Sequence, residues 1–304
     1  MTAATTAQHR VPDAVTVHSM GGLGNQLFIY GAGLAAAERA GVSLRVDVGQ
    51  HAARSDRPAL LEDLGLPADY VDLGMRQDAS RVRRRLASWW PLRDEVPLGC
   101  SYRENGFVFD PAVLQQGAGT CLFGYFQSWR YVEPVAHRLR GHLTRLAEVR
   151  HDRLRPHAKR LDDPSAVVLH VRRGDYLHAD AQGYHGVAGH RFYRDALTTL
   201  RRTGFDGPVL LFSDDVEMAV RELDGLGEVH PVSCPSLDAL DEMLLMSRAP
   251  ALVTANSSFS WWAAWLGDRP DRPVVAPRPW FDDPSIDARD LLPPHWLTLD
   301  RRDL

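Results

Sequence analysis

The stretch from Ala166 to Tyr176 reads A-V-V-L-H-V-R-R-G-D-Y. Its first six residues are apolar except for His170 and show no alternation, the pattern of a strand covered on both faces in a parallel sheet. The charged cluster that follows stands where the strand ends, and in open α/β sheets ligands bind outside the carboxyl ends of strands. Working outward, the same alternation returns on both sides. Helices are predicted over His190–Arg202, Asp215–Leu223, Leu237–Arg248 and Ser258–Leu266. Strands are predicted over Pro208–Phe212, near Val229, over Ala251–Thr254 and at Val274–Ala276, which closes the series. Upstream, a strand at Ala14–Ser19, a glycine turn, a small-residue helix ending near Gly41 and a strand at Ser43–Val48 open a second unit of the same kind. An arginine-bearing helix is expected over about 132–160, and another over 81–90. The predicted architecture is α/β, with two Rossmann-like domains, 1–160 and 161–304, facing a central cleft.

Composition narrows the function. Of 304 residues, 44% are hydrophobic and 24% charged, which suits a folded chain and excludes a disordered or disulfide-scaffold protein. A net charge of −4 makes nucleic acid an unexpected partner. Cys100, Cys121 and Cys234 are widely spaced, with no C-x-x-C pair, and read as thiols in a reducing compartment. No segment approaches the roughly 18 consecutive apolar residues of a membrane-spanning helix. The first fourteen residues lack the apolar run of a signal peptide. The expectation is a cytoplasmic protein, compatible with peripheral contact at a membrane surface. The single lysine, Lys159, is followed by Arg160, so a P-loop is excluded.

Four clusters carry chemistry. G-G-L-G-N-Q, Gly21–Gln26, puts Gly22 and Gly24 at a strand-to-helix turn, where backbone N–H groups can approach a ligand. Leu27 stands where a dinucleotide fingerprint needs glycine, so NAD is excluded. Asn25 and Gln26 add two carboxamides able to bind sugar hydroxyls or phosphate oxygens. In the second cluster, Arg172 and Arg173 offer two guanidinium forks for a diphosphate, with His170 beside them and Asp175 holding one fork in place. A plain Arg–Asp salt bridge stitching the loop is the alternative. In F-S-D-D, Phe212–Asp215, an aspartate either accepts from a guanine ring or ribose, or caps the next helix. Asn256, Ser257 and Ser258 open a helix after a strand and converge on an anion, while Trp261, Trp262 and Trp265 at helical spacing read as core. No D-x-D triplet occurs. A leaving diphosphate would therefore be neutralised by arginine and helix ends, with no metal and no cofactor.

Together with F-G-Y-F-Q-S at Phe123–Ser128 and V-V-A-P-R-P-W-F at Val274–Phe281, these blocks run in one order across residues 17–281. In that order the chain resembles the α-1,2-fucosyltransferases, glycosyltransferase family 11. The resemblance implies a GT-B-type fold, GDP-fucose as co-substrate and inversion at the anomeric carbon. The implied acceptor is the 2-hydroxyl of a galactose-terminated glycan, such as lactose or a surface-polysaccharide precursor. It implies Arg172 as the β-phosphate clamp supported by Arg173 and Asp175, His170 lining the guanosine pocket, and Asp214 accepting from guanine or ribose. Ser257, Ser258 and Ser260 would face the phosphates, with Asn256 and Phe259 in the same donor block, and Asn25 would lie near the reaction centre. Asp180, in the loop after H-V-R-R-G-D-Y, is the implied general base. Residues 54–119 match no block and are expected to shape the acceptor site. The competing readings are a transferase of another GDP-sugar or linkage, and a non-catalytic GDP-sugar or glycan-binding protein on the same scaffold. The intact Asn25-Gln26 and second-domain motifs argue against the latter.

Overall fold

The computed structural model describes residues 13–52, 58–73, 101–173 and 186–302. They form two compact units that divide between Ala136 and His137. The first contains β1 (Ala14–His18), α1 (Leu23–Ala40), β2 (Ser43–Asp47), α2 (Gly49–Ala52), β3 (Asp69–Val71), β4 (Tyr102–Arg103), α3 (Pro111–Leu114), β5 (Cys121–Phe123) and α4 (Trp129–Val132). Its sheet runs β3-β2-β1-β5-β4, and every neighbouring pair is parallel.

Helix α1 is rich in alanine and glycine and is buried on almost every side through Ala37. Gly33 explains how close it lies to the sheet. A Cβ there would stand 2.4 Å from Val17 Cγ1 and 2.9 Å from Leu44 Cδ1, so the helix rests directly on β1 and β2. Gly41 ends the helix in the left-handed region, with its N–H returned to the last turn.

The second unit contains α5 (Ala136–Val149), α6 (His151–Ala158), β6 (Val167–Val171), α7 (His190–Arg201), β7 (Val209–Ser213), α8 (Val216–Glu222), β8 (Val229–Pro231), α9 (Ala239–Ser247), β9 (Ala251–Val253), α10 (Ser258–Leu266), β10 (Val274–Arg278) and β11 (Leu297–Asp300). Its sheet runs β8-β7-β6-β9-β10-β11, again wholly parallel. Counted from β6, that is the strand order of a Rossmann domain, 3-2-1-4-5-6. Leu169, Val171, Phe192, Leu211 and Val253 sit in one core cluster. Trp261, Trp262 and Trp265 are buried as core, and Trp261 Nε1 donates to the Leu291 carbonyl at 3.0 Å.

Both Rossmann-like α/β domains that a GT-B-type fold comprises are therefore present. Three details differ from expectation. The units divide near 136 rather than 160, because α5 and α6 belong with α9: Arg150 and Arg153 bind Asp241 at 2.7 and 2.5 Å. The helix expected over 132–160 is several pieces, and β11 extends the sheet beyond β10. The helix expected at 81–90 lies outside the described residues. Among the described residues no helix is long and apolar enough to cross a membrane.

Candidate functional site

In each sheet the strand order reverses at one place, and ligands of open α/β sheets bind at such switch points. In the second unit this place lies between β6 and β9, from which residues 172–173 and 254–258 emerge. His170, next to the end of β6, is buried, and burial with the nearby Arg172 charge pushes its imidazole down to about 3. It is neutral at physiological pH. Its Nδ1 and the Thr254 Oγ1 are buried polar atoms with no hydrogen-bond partner among the described residues. The Phe259 ring lies 5.6 Å from the His170 ring.

The two arginines part company. Arg172 remains partly exposed, and its Nε pairs with Asp214 Oδ2 at 3.0 Å. Arg173 is buried; it donates to the Ala188 carbonyl at 2.9 Å and the Arg172 carbonyl at 3.0 Å, and pairs with Glu222. Asp214 Oδ1 accepts from the Arg173 backbone N–H at 2.8 Å, so one carboxylate fixes both the loop and the Arg172 guanidinium.

Several of the expected site residues also make contacts within the unit. Arg173 is engaged inside the unit by Ala188, Arg172 and Glu222, whereas Arg172 lies partly exposed at the strand end. Asp214 orients Arg172 through their ion pair. Asp215, beside it, is the helix cap, accepting from the Met218 N–H at 2.9 Å. Ser260 is buried and donates to the Ala255 and Ser257 carbonyls. Asn256 is buried and donates to the carbonyls of Gly186 and Trp280, tying two loops together. Ser257 caps α10 by accepting from the Phe259 N–H at 3.3 Å. Ser258 is half-buried at the first position of that helix. Asp175 and Asp180 lie outside the described residues.

In the first unit the switch point lies between β1 and β5. After β1, Gly21 adopts φ 76°, Gly22 is exposed at the helix cap, and Gly24 is buried in the first turn. Gln26 is buried and bonds to the Gly21 and Pro58 carbonyls and the Leu60 N–H, each at 2.9 Å. It is scaffold, which leaves Asn25 as the candidate. After β5, Gln127 donates to Asn25 Oδ1 at 2.7 Å, joining the two motif loops. Gln127 follows Phe126, a non-glycine residue at φ 51°, a conformation that costs on the order of 1 kcal/mol and calls for external support. Glu104 supplies it: Oε2 accepts from the N–H groups of Tyr125 and Phe126 at 2.8 and 2.9 Å. Sequence reading of the residues themselves missed Gln127 and Glu104. The F-G-Y-F-Q-S block carried a signal for the first; Glu104 carried none.

Burial pushes the Glu104 carboxyl up to about 8, against the downward pull of the two N–H groups. The folded protein therefore keeps a proton that the unfolded chain releases near 4.5, and this contribution to stability is lost as pH rises toward 8. Glu104→Gln keeps an acceptor for both N–H groups and does not titrate. Its Tm should fall less than the parent's between pH 5 and pH 8, measured by scanning calorimetry. Equal slopes would show that Glu104 is ionised in the folded state.

The model of glycosyl transferase family 11 matches residues 113–300. The chain belongs to that family. It is 27% identical over 302 residues, 94% of this chain and 99% of the relative, to an alpha-1,2-colitosyltransferase of Escherichia coli. It is 25% identical over 265 residues to galactoside alpha-(1,2)-fucosyltransferase 1 of Ateles belzebuth, covering 83% of this chain and 64% of that protein. A solved structure of NodZ alpha-1,6-fucosyltransferase soaked with GDP-fucose aligns over 84% of this chain and 92% of that one, at 13% identity and a TM-score of 0.45.

Proposed function

We propose that this glycosyltransferase moves L-fucose from GDP-β-L-fucose to the 2-hydroxyl of a terminal β-galactoside, with inversion and without a metal ion, in the cytoplasm. The observation that carries the reading is Arg172, a guanidinium held by Asp214 at the switch point of a Rossmann-ordered sheet. As the sugar bond breaks, negative charge builds on the β-phosphate, and an oriented guanidinium stabilises it. The capped N-terminus of α10 adds its positive end to the same anion. In this reading the second unit binds the donor and the first the acceptor, with Asn25 and Gln127 meeting sugar hydroxyls. The base that takes the acceptor proton is Asp180, on the strength of the resemblance.

A second donor has specific support. A relative that covers nearly the whole chain is named for colitose, which is L-fucose without its 3-hydroxyl. The deciding experiment offers GDP-fucose and GDP-colitose separately with lactose, with and without EDTA, and reads product mass and linkage by NMR. Fucose on the galactose 2-hydroxyl at an EDTA-independent rate is expected. Preference for colitose would move the donor assignment. Activity abolished by EDTA and restored by Mn²⁺ would overturn the metal-free mechanism, and binding without transfer would overturn the enzyme.

A further inference from the structure

A cluster in the first unit takes no part in the transfer chemistry above. Cys121 opens β5, His18 closes β1 and Asp47 closes β2. The His18 ring lies between the other two, with Nδ1 2.6 Å from Asp47 Oδ2 and Nε2 2.9 Å from Cys121 Sγ. Asp47 is itself fixed, because Oδ1 accepts from the N–H groups of Gly49 and Leu73 at 3.0 Å each. A carboxylate only accepts, so Nδ1 carries a proton and Nε2 shares the next one with sulfur. His18 and Asp47 are buried, whereas Cys121 is half-buried and is not disulfide-bonded. Burial by itself would lower the His18 imidazole, but its bonds to Asp47 and Cys121 raise it to about 9, so the ring holds its proton at neutral pH. A thiol beside an imidazolium is shifted toward thiolate, the form that attacks.

We propose that Cys121 is a reactive thiol, activated by His18 and oriented through Asp47, that forms reversible mixed disulfides with small disulfides. The Cys121 sulfur bonds to one sulfur of the incoming disulfide, whose own S–S bond breaks. The departing thiolate takes up the proton that Cys121 gave to His18, leaving a neutral imidazole with Nδ1–H on Asp47. An added thiol reverses the exchange.

Cys234 serves as an internal reference, since its sulfur meets only the Ser236 hydroxyl, at 3.1 Å, among the contacts described. The native protein is treated with iodoacetamide at pH 6.5 and alkylation is followed peptide by peptide by mass spectrometry. An ordinary thiol is about 1% ionised there, so Cys121 should react at least roughly tenfold faster than Cys234. Oxidised glutathione should add one glutathione to Cys121, removable by dithiothreitol. In a His18→Gln variant shown by circular dichroism to be folded, Cys121 should fall to the rate of Cys234. A parent in which Cys121 reacts no faster than Cys234 overturns the proposal whether or not the variant folds. So does a folded variant that keeps the parent's rate. These readouts do not depend on the donor or acceptor assigned above.

Discussion

Arg172→Ala loses roughly 10²–10³ in kcat, the scale for deleting one preorganised donor to developing charge. The guanidinium meets the β-phosphate most strongly once the sugar bond is breaking, so its loss falls on turnover more than on donor affinity. Geometry sharpens the expectation. Nε is engaged by Asp214 at 3.0 Å, which fixes the plane of the fork before substrate arrives. Arg172→Lys should recover little, because an ammonium presents no planar fork and cannot keep both the Asp214 contact and a bidentate phosphate contact. Asp214→Asn should lose less than Arg172→Ala, because the fork remains but is less firmly held. Measuring kcat and Tm on the same preparations separates this from a scaffold role. Near-parental turnover in a destabilised Arg172→Ala protein would reduce the residue to a loop stitch and remove the observation on which the functional reading stands.

Arg272→Met should leave turnover per folded molecule intact and lower Tm by roughly 10 °C, a loss of about 3–5 kcal/mol. Arg272 is buried and bonds to three carbonyls: Ala249 at 2.7 Å, Ala264 at 2.8 Å and Met246 at 2.9 Å. Met246 and Ala264 lie in the last turns of α9 and α10, whose final carbonyls have no partner within their own helices. One guanidinium thus closes two helix ends, where a cation is also favoured by the helix dipoles. Burial, with Arg269 adding to it, draws the group down to about 9, which still leaves it charged at neutral pH. Methionine fills the space but takes the guanidinium from three buried carbonyls, of which Met246 keeps its bond from the Ala249 N–H at 3.1 Å. Arg272→Lys keeps the charge and serves fewer carbonyls, so an intermediate Tm is expected. A methionine variant within about 2 °C of the parent would mean that the carbonyls find other donors.

How much of this was legible depended on element length. Strands β6, β7 and β9 are apolar runs closed by charged, aspartate or asparagine turns, and α10 spans the predicted Ser258–Leu266. In the first unit β4 and β5 are two and three residues long, too short for any periodicity to register. Glu104 directly follows β4, and Gln127 lies in the loop after β5. Adjacency also misled: Arg172 and Arg173 are identical in chemistry, but consecutive side chains leaving a strand point to opposite faces, so one reaches the edge and the other the interior. The unit boundary was hidden for another reason. Asp241 lies 91 residues beyond Arg150, and no local pattern announces that partnership.

That partnership bears on how family members could exchange halves to trade specificities. A chimera spliced at 160 would keep Asp241 but receive another protein's residues in place of Arg150 and Arg153. Asp241 is fully buried, and such a carboxylate stripped of its cations costs about 3–5 kcal/mol. The hybrid would then fail for reasons unrelated to donor or acceptor. A splice at 136 carries both arginines along with the helix they secure, α9. The seam along which this chain can be recombined lies two helices upstream of the one that its strand pattern suggests.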